Sequence, residues 1–440
     1  MTERDDLTAL PQTPRRVIAA SLIGTSLEWY DFFLYGTAAA LVFNKLFFPS
    51  FDPTVGTLLA FATAAVGFVA RPLGGIVFGH FGDRSGRKMV LVITLLIMGG
   101  ATFLIGLLPT YATIGVWAPI LLVALRFVQG LGLGGEWGGA VLMALEHGAP
   151  DKRGLNASWP QVGVPVGNLL AAGVLGLLNF TLSEEAFLSW GWRVAFLASA
   201  LLVVFGLIIR LKLEETPVFK AIQAHGERPK APIKEVFTTE PKALVSAALS
   251  RVCPDVLYAL FTVFVAVYAT KQLGMTTGNV LAAILIGSAF QLFLIPLAGA
   301  LTDRFNRRLV YGVTAAVTAV YIPLFFLMIQ GKSVVMLTIG TVIGLALHAF
   351  MYGPQAAFIT EQFPARLRYA GSSLAYTLAG VIGGAVAPII FTALYGAASG
   401  GWYLIAGYLV LTAVVTIVGM VLGRDPKPEE DVRLLQESPA

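Results

Sequence analysis

Two carboxylates and a phenol stand on one stripe of an otherwise apolar run. The stretch EWYDFFLYG, Glu28 to Gly36, lies within Val17 to Phe43, and Glu28 and Asp31 are the only charged residues between Arg16 and Lys45. Helical spacing of i, i+3 and i+7 puts Glu28, Asp31 and Tyr35 on one face. A charge at the centre of a bilayer costs roughly 2.5–3.5 kcal/mol on insertion scales. The stripe is therefore predicted to face protein or water, and acids so placed suit the uptake and release of protons.

Six further residues belong to the same chemistry. Glu136 and Asp255 are acids within apolar segments, Arg71, Arg126 and Arg251 are bases, and His348 is an eighth titratable group. Four carboxylates against three guanidiniums leave one acid without a basic partner, and that acid is expected to hold a proton part of the time. Glu28, Asp31, Glu136 and Asp255 are the candidates for proton coupling. Arg126, with Gln129 on its face, can take a substrate carboxylate in bidentate fashion or clamp the acids of the first helix. Arg71 precedes Pro72 and two glycines, a close-packing stretch expected to kink. Arg251 and Asp255 at i, i+4 can simply pair, but Pro254 between them frees backbone groups and suggests a bend lining a cavity. His348, Tyr352 and Gln355 share a face, as do Gln161 and Asn168. The substrate-binding candidates are Tyr35, Arg71, Arg126, Gln129, Gln161, Arg251, His348, Tyr352 and Gln355.

The elements that must position these groups are membrane helices. Of 440 residues, 57% are hydrophobic and 12% charged, against about 25% charged in soluble chains. Twelve apolar segments are read at 15–43, 55–79, 89–108, 117–146, 155–181, 192–211, 243–270, 279–299, 309–330, 333–362, 369–397 and 401–423, each long enough for a hydrocarbon core of about 30 Å. With both termini on one side, that side collects 23 of the 30 Lys and Arg residues. Lys45, Arg193, Lys271 and Lys332 fall on the other, and Arg71, Arg126 and Arg251 within helices. The positive-inside rule then places both termini in the cytoplasm. The basic excess is topological, and no nucleic-acid partner is expected.

The first fourteen residues are polar, so no cleavable signal is expected. The single Cys253 excludes an internal disulfide, and the four His at 80, 147, 225 and 348 are scattered. No metal, cofactor or catalytic nucleophile constellation emerges, and the chain is not read as an enzyme. The run GLGLGGEWGGA (130–140) contains a GxGxxG pattern, but no strand precedes it; its glycines are read as helix packing.

The chain repeats itself. GHFGDRSGRK (79–88) is echoed by GALTDRFNRR (299–308), and EHGAPDKRG (146–154) by EQFPARLRY (361–369). The expected architecture is all-α and integral to the membrane, twelve helices in two pseudo-symmetric six-helix halves. A cytoplasmic tail (1–14), a first half (15–211), a cytoplasmic linker (212–242) with short amphipathic pieces, a second half (243–423) and a cytoplasmic tail (424–440) make up the chain. Such duplication places a transporter's substrate site between the repeats near the midplane.

GDRSGRK, its second copy and the twelve-helix layout resemble the major facilitator superfamily. EWYDFFLYG, RPLGG (71–75), RFVQGLGLGGEWGGA (126–140) and WGWR (190–193) are similar to its metabolite:proton symporter family, over nearly the whole chain. The resemblance implies a cytoplasmic charge network in Asp83, Arg84, Arg87, Lys88, Glu146 and Arg153 and, from the second half, Asp303, Arg304, Arg307, Glu361 and Arg368. Such ion pairs would hold the cytoplasmic helix ends together while the carrier faces outward. It further implies proton symport of a small organic acid anion, such as shikimate or a related carboxylate, by a monomer in a bacterial cytoplasmic membrane, with the substrate, protons and the lipid bilayer as partners. A betaine or proline carrier, with aromatic rings such as Trp29, Tyr30 and Tyr35 holding a cation, is the alternative, followed by a sensor or a channel of the same fold.

Overall fold

The computed structural model describes residues 15–49, 53–226, 228–425 and 428–436. The N-terminal tail expected over 1–14 lies outside them. Twelve helices are long and apolar enough to cross a membrane: α1 (Arg16–Ala38), α2 (Ala65–Ser85), α3 (Arg87–Leu107), α4 (Trp117–Glu146), α5 (Pro150–Thr181), α6 (Glu184–Leu211), α7 (Pro241–Lys271), α8 (Thr277–Leu301), α9 (Arg307–Ile329), α10 (Val334–Glu361), α11 (Ala365–Ala397) and α12 (Tyr403–Leu422). No strand occurs among the described residues. The outer surface carries large apolar side chains, among them Phe180, Leu201 and Phe293, as lipid-facing helices must.

Packing follows the repeat. In the first half α2 lies on α4 and α3 on α6; in the second, α8 lies on α10 and α9 on α12. Between the halves α5 meets α8 and α2 meets α11. Small residues permit both approaches. A Cβ on Gly299 of α8 would lie 2.6 Å from the carbonyl oxygen of Gly154 on α5, and one on Gly79 of α2 would lie 3.0 Å from Cα of Ala370 on α11. The start of α1 packs beside Leu213 after α6. One end of the bundle, here the terminal end, thus gathers the chain start, two linker helices (Pro217–Ala224 and Pro232–Thr239) and a short C-terminal helix (Pro428–Gln436).

Four local features differ from the sequence reading. The turn expected over 79–88 is confined to Gly86, whose φ of 115° favours glycine, so Asp83 and Ser85 remain helical. Helix α6 begins at Glu184 rather than near 192 and takes WGWR into a π-helical turn, Phe187–Gly191, and the residues after it. The C-terminal tail contains a helix where none was expected. Helix α7 loses its regular form at Arg251, ahead of Pro254, and both α7 and α11 carry π-helical turns, at Leu260–Phe264 and Val381–Ala385. Pro72, by contrast, lies inside one continuous helix.

Candidate functional site

The stripe on α1 meets α3 and α4 in a buried relay. Arg126 of α4 donates to Gln129 Oε1; Gln129 Nε2 donates to Thr102 Oγ1 of α3 at 2.7 Å; Thr102 Oγ1 lies 2.7 Å from Asp31 Oδ2, which accepts from it. The Arg126 Cζ stands 4.2 Å from the Tyr35 ring centroid, and the Tyr35 hydroxyl is 2.5 Å from Thr63 Oγ1. Gly67 leaves the room this arginine needs, since a Cβ there would lie 2.8 Å from Arg126 Nε. Arg126 Nε has no hydrogen-bond partner among the described residues.

Glu28 and Arg71 are buried at 2% and 5% exposure. Neither forms an ion pair within 4 Å among the described residues, and Glu28 Oε2, Arg71 Nε and Arg71 Nη2 lack hydrogen-bond partners. The Arg71 guanidinium instead lies over rings, 4.6 Å from Phe68, 5.4 Å from Phe32 and 5.7 Å from Trp29. Phe32 also stands 5.9 Å from the Arg126 Cζ, so one ring separates the two guanidiniums.

The other two interior acids are engaged. Glu136 forms a buried ion pair with Arg210 of α6, and its Oε2 accepts from Thr94 at 2.8 Å. This corrects the charge tally. The sequence reading counts Arg210, at the end of the sixth segment, among the 23 bases of the terminal side, yet its side chain turns inward and also donates to the Leu91 carbonyl. The interior balance among these groups is four acids to four arginines. Arg251 pairs with Asp255 at 2.9 Å, donates to the Tyr376 carbonyl and stands 3.3 Å from the Tyr376 ring centroid. With two pairs formed, Glu28, Asp31, Arg71 and Arg126 remain without a direct ionic partner among the described residues.

Polar and aromatic contacts join the halves beside this group. Tyr376 stacks on Trp137 at 3.7 Å, Trp137 Nε1 donates to Gln161 Oε1 at 2.7 Å, and Gln161 Nε2 donates to the Tyr352 carbonyl at 3.1 Å. His348 stacks on Tyr352, and its Nδ1 lies 2.7 Å from Gln291 Nε2. Gln355 leaves this face and donates to the Tyr311 hydroxyl of α9 at 3.2 Å. Asn168 is half-buried on α5.

At the terminal end the repeat closes on itself. Asp83 accepts from the backbone N–H groups of Tyr369 and Ala370 at 3.2 and 2.8 Å; Asp303 accepts from those of Gly154 and Leu155 at 2.6 and 2.9 Å. Each aspartate satisfies N–H groups in the first turn of a helix of the other half, which lack intrahelical partners. Arg153 pairs with Glu361 at 3.1 Å, Arg368 with Glu146 at 3.5 Å, Arg87 with Asp83 at 3.5 Å and with Glu146 at 3.7 Å, and Arg307 with Glu361. Arg84, Lys88 and Arg304 stand apart from this network. One position along the helix from each aspartate turns the side chain away, so Arg84 reaches His80 and Arg304 is exposed, while Lys88 donates to the Leu211 carbonyl.

Sequence reasoning passed over Thr102, Arg210, Trp137, Tyr376 and Asp431. The last lies in the C-terminal helix at 5% exposure, within 2.6 Å of Arg153 and 2.9 Å of Arg368. A threonine in a membrane helix carries no distinguishing signal. The amphipathic pattern of PEEDVRLLQ was the available clue to Asp431.

A family model described as Major Facilitator Superfamily matches residues 21–388 and, again, 257–439. The chain is 41% identical over 420 residues to an inner membrane metabolite transport protein of Escherichia coli, covering 94% of each chain. It is 38% identical over 427 residues to the shikimate transporter of the same organism, covering 96% of this chain and 98% of that one. A solved proton:xylose symporter shares the fold with a TM-score of 0.74 at 17% identity, covering 92% of this chain and 94% of its own.

Proposed function

Because the chain belongs to the major facilitator superfamily, we propose that it is a proton-coupled symporter of a small organic acid anion working by alternating access. The observation that carries this reading is the pair of buried arginines, Arg71 and Arg126, that have no carboxylate within ion-pair distance among the described residues, beside two acids, Glu28 and Asp31, without an ion pair among them either. A buried guanidinium without a counter-ion is expensive, and an incoming carboxylate relieves it. Arg251 and Glu136 are committed to partners, which favours Arg126 or Arg71 as the anion site and Glu28 or Asp31 as the proton site.

The relay gives the coupling a physical form. A substrate carboxylate at Arg126 would draw the guanidinium from Gln129, loosen the chain of donors that ends on the Asp31 carboxylate, and so favour a proton there. The coupling is reciprocal. Aromatic capture of a betaine cation is less well supported, since Trp29, Phe32 and Phe68 already surround a guanidinium. The shikimate transporter among the relatives agrees with a carboxylate substrate. We further propose that the terminal end is cytoplasmic and that the halves, about 15–211 and 243–423, move as units about the central site.

Uptake of a panel of carboxylates into proteoliposomes under an imposed proton gradient tests the reading. Glu28→Gln or Asp31→Asn, whichever carries the proton, is expected to lose uphill accumulation while keeping counterflow exchange. Accumulation that ignores the gradient would refute proton symport.

A further inference from the structure

The glutamate–arginine pairs that cross the closed terminal end repeat from one half to the other, and Asp431 joins both. Arg153 and Arg368 are equivalent residues of the repeat, each seven positions after the matching Glu146 or Glu361. Each pairs with the glutamate of the other half. Between them sits Asp431, which the chain supplies once. Its Oδ2 lies 2.6 Å from Arg153 and 2.9 Å from Arg368, so the two guanidinium nitrogens are no farther apart than the sum of these distances, 5.5 Å. Two like charges held that close need an anion between them. The same helix seats Leu434 on Val218 and Ile222 of the first linker helix and on Ala365 at the start of α11.

We propose that the C-terminal helix, 428–436, is a latch: Asp431 holds the terminal end shut by bridging the equivalent arginines of the two halves, and must release one of them before that end opens. This rests on the alternating-access reading above. One carboxylate oxygen cannot stay within hydrogen-bond reach of two residues on bodies that separate, so Asp431 contributes only to the closed state. A contact made in one state alone shifts the balance toward that state. The loss of a charge-assisted bond of this kind shifts the closed-to-open ratio by about tenfold.

The test uses the full chain with Cys253→Ala as background. Ser158→Cys reports on the seam, because Ser158 is buried on α5 against Gly299 of α8. Its labelling by a maleimide presented from the terminal side should rise about tenfold on Asp431→Asn, and likewise in a chain ending at Asp425. Linking Leu434→Cys to Val218→Cys with a short bifunctional maleimide should abolish counterflow while substrate binding survives, and the two single-cysteine chains should remain active. Monodisperse elution of each variant shows that it is folded. If Asp83→Asn raises labelling while Asp431→Asn and truncation do not, the latch is wrong and the gate stands. Should Asp83→Asn leave labelling unchanged as well, the gate reading fails and the latch falls with it. Full counterflow in the cross-linked protein would also overturn the proposal.

Discussion

Arg126 and Asp31 are connected without being paired: Gln129 and Thr102 stand between the guanidinium and the carboxylate, each bond donating toward the acid. A direct salt bridge would fix both charges. A relay of two neutral groups leaves each free to meet a new partner while still registering the other's state.

Thr102→Val removes the link while keeping its volume. An unmade bond to a buried carboxylate costs about 1–3 kcal/mol. Proton-driven uptake at neutral pH is expected to fall about tenfold, with substrate affinity changed by less than about threefold. A proportional loss of affinity in a thermal-shift titration would show that Thr102 shapes the substrate site itself.

Gly67→Ala should displace the guanidinium of Arg126, since the new Cβ would lie 2.8 Å from Nε and 3.2 Å from Cζ. Carboxylate affinity is expected to drop at least about tenfold in a folded protein. Gly173→Ala, where a Cβ meets nothing within 4 Å, is the control. Unchanged affinity in Gly67→Ala would remove Arg126 from the anion site.

Glu136→Gln leaves Arg210 buried and unpaired, at a cost of about 3–5 kcal/mol in stability. The melting temperature in detergent should fall sharply and recover when Arg210→Met is added. A stable single variant that loses only its pH dependence would return Glu136 to the list of proton carriers.

Burial works to raise the Asp431 carboxyl, but Arg368 and then Arg153 outweigh it and hold the group well below the usual carboxylate range. The other charges facing the site, Glu146 and Glu361, are paired with those same arginines. A lowered carboxylate contributes fully above its ordinary value near ~3.9 and is lost only as pH falls through the lowered one. Cross-linking of Leu434→Cys to Val218→Cys, taken relative to the reaction of the same maleimide with a free thiol at each pH, should therefore be constant from about pH 5 to pH 8. A fall of that ratio within the window would contradict the assignment of its charge.

Much of the architecture was legible because membrane helices are written in composition. Ten of the twelve segments began and ended within about five residues of the expected positions, the exceptions being α2 and α6. Helix α2 runs on to Ser85 through a polar sequence because Asp83 faces protein rather than water. Arg210 was misplaced because a base at a helix end, next to a polar linker, reads like any other loop charge; only the fold reveals Glu136 opposite it. Asp431 was invisible for a related reason. A nine-residue helix contributes little hydropathy, and its importance comes from two arginines distant in sequence. Glu28 and Asp31, by contrast, stood out because nothing else charged lies between Arg16 and Lys45.

The aspartates at the terminal end reach the other half through its main chain, not its side chains. Asp83 and Asp303 hold the amides of residues 369, 370, 154 and 155, and every amino acid but one presents the same N–H. The bonds themselves thus ask only for a main-chain donor, so a change of side chain at the half-buried Leu155 leaves the hold on its amide intact, whereas Ala370 is also kept small by Gly79 of α2. Proline alone lacks the donor, yet it fits the first turn of a helix without breaking it. A proline at 370 or 155 would leave the helix standing and take away the handle.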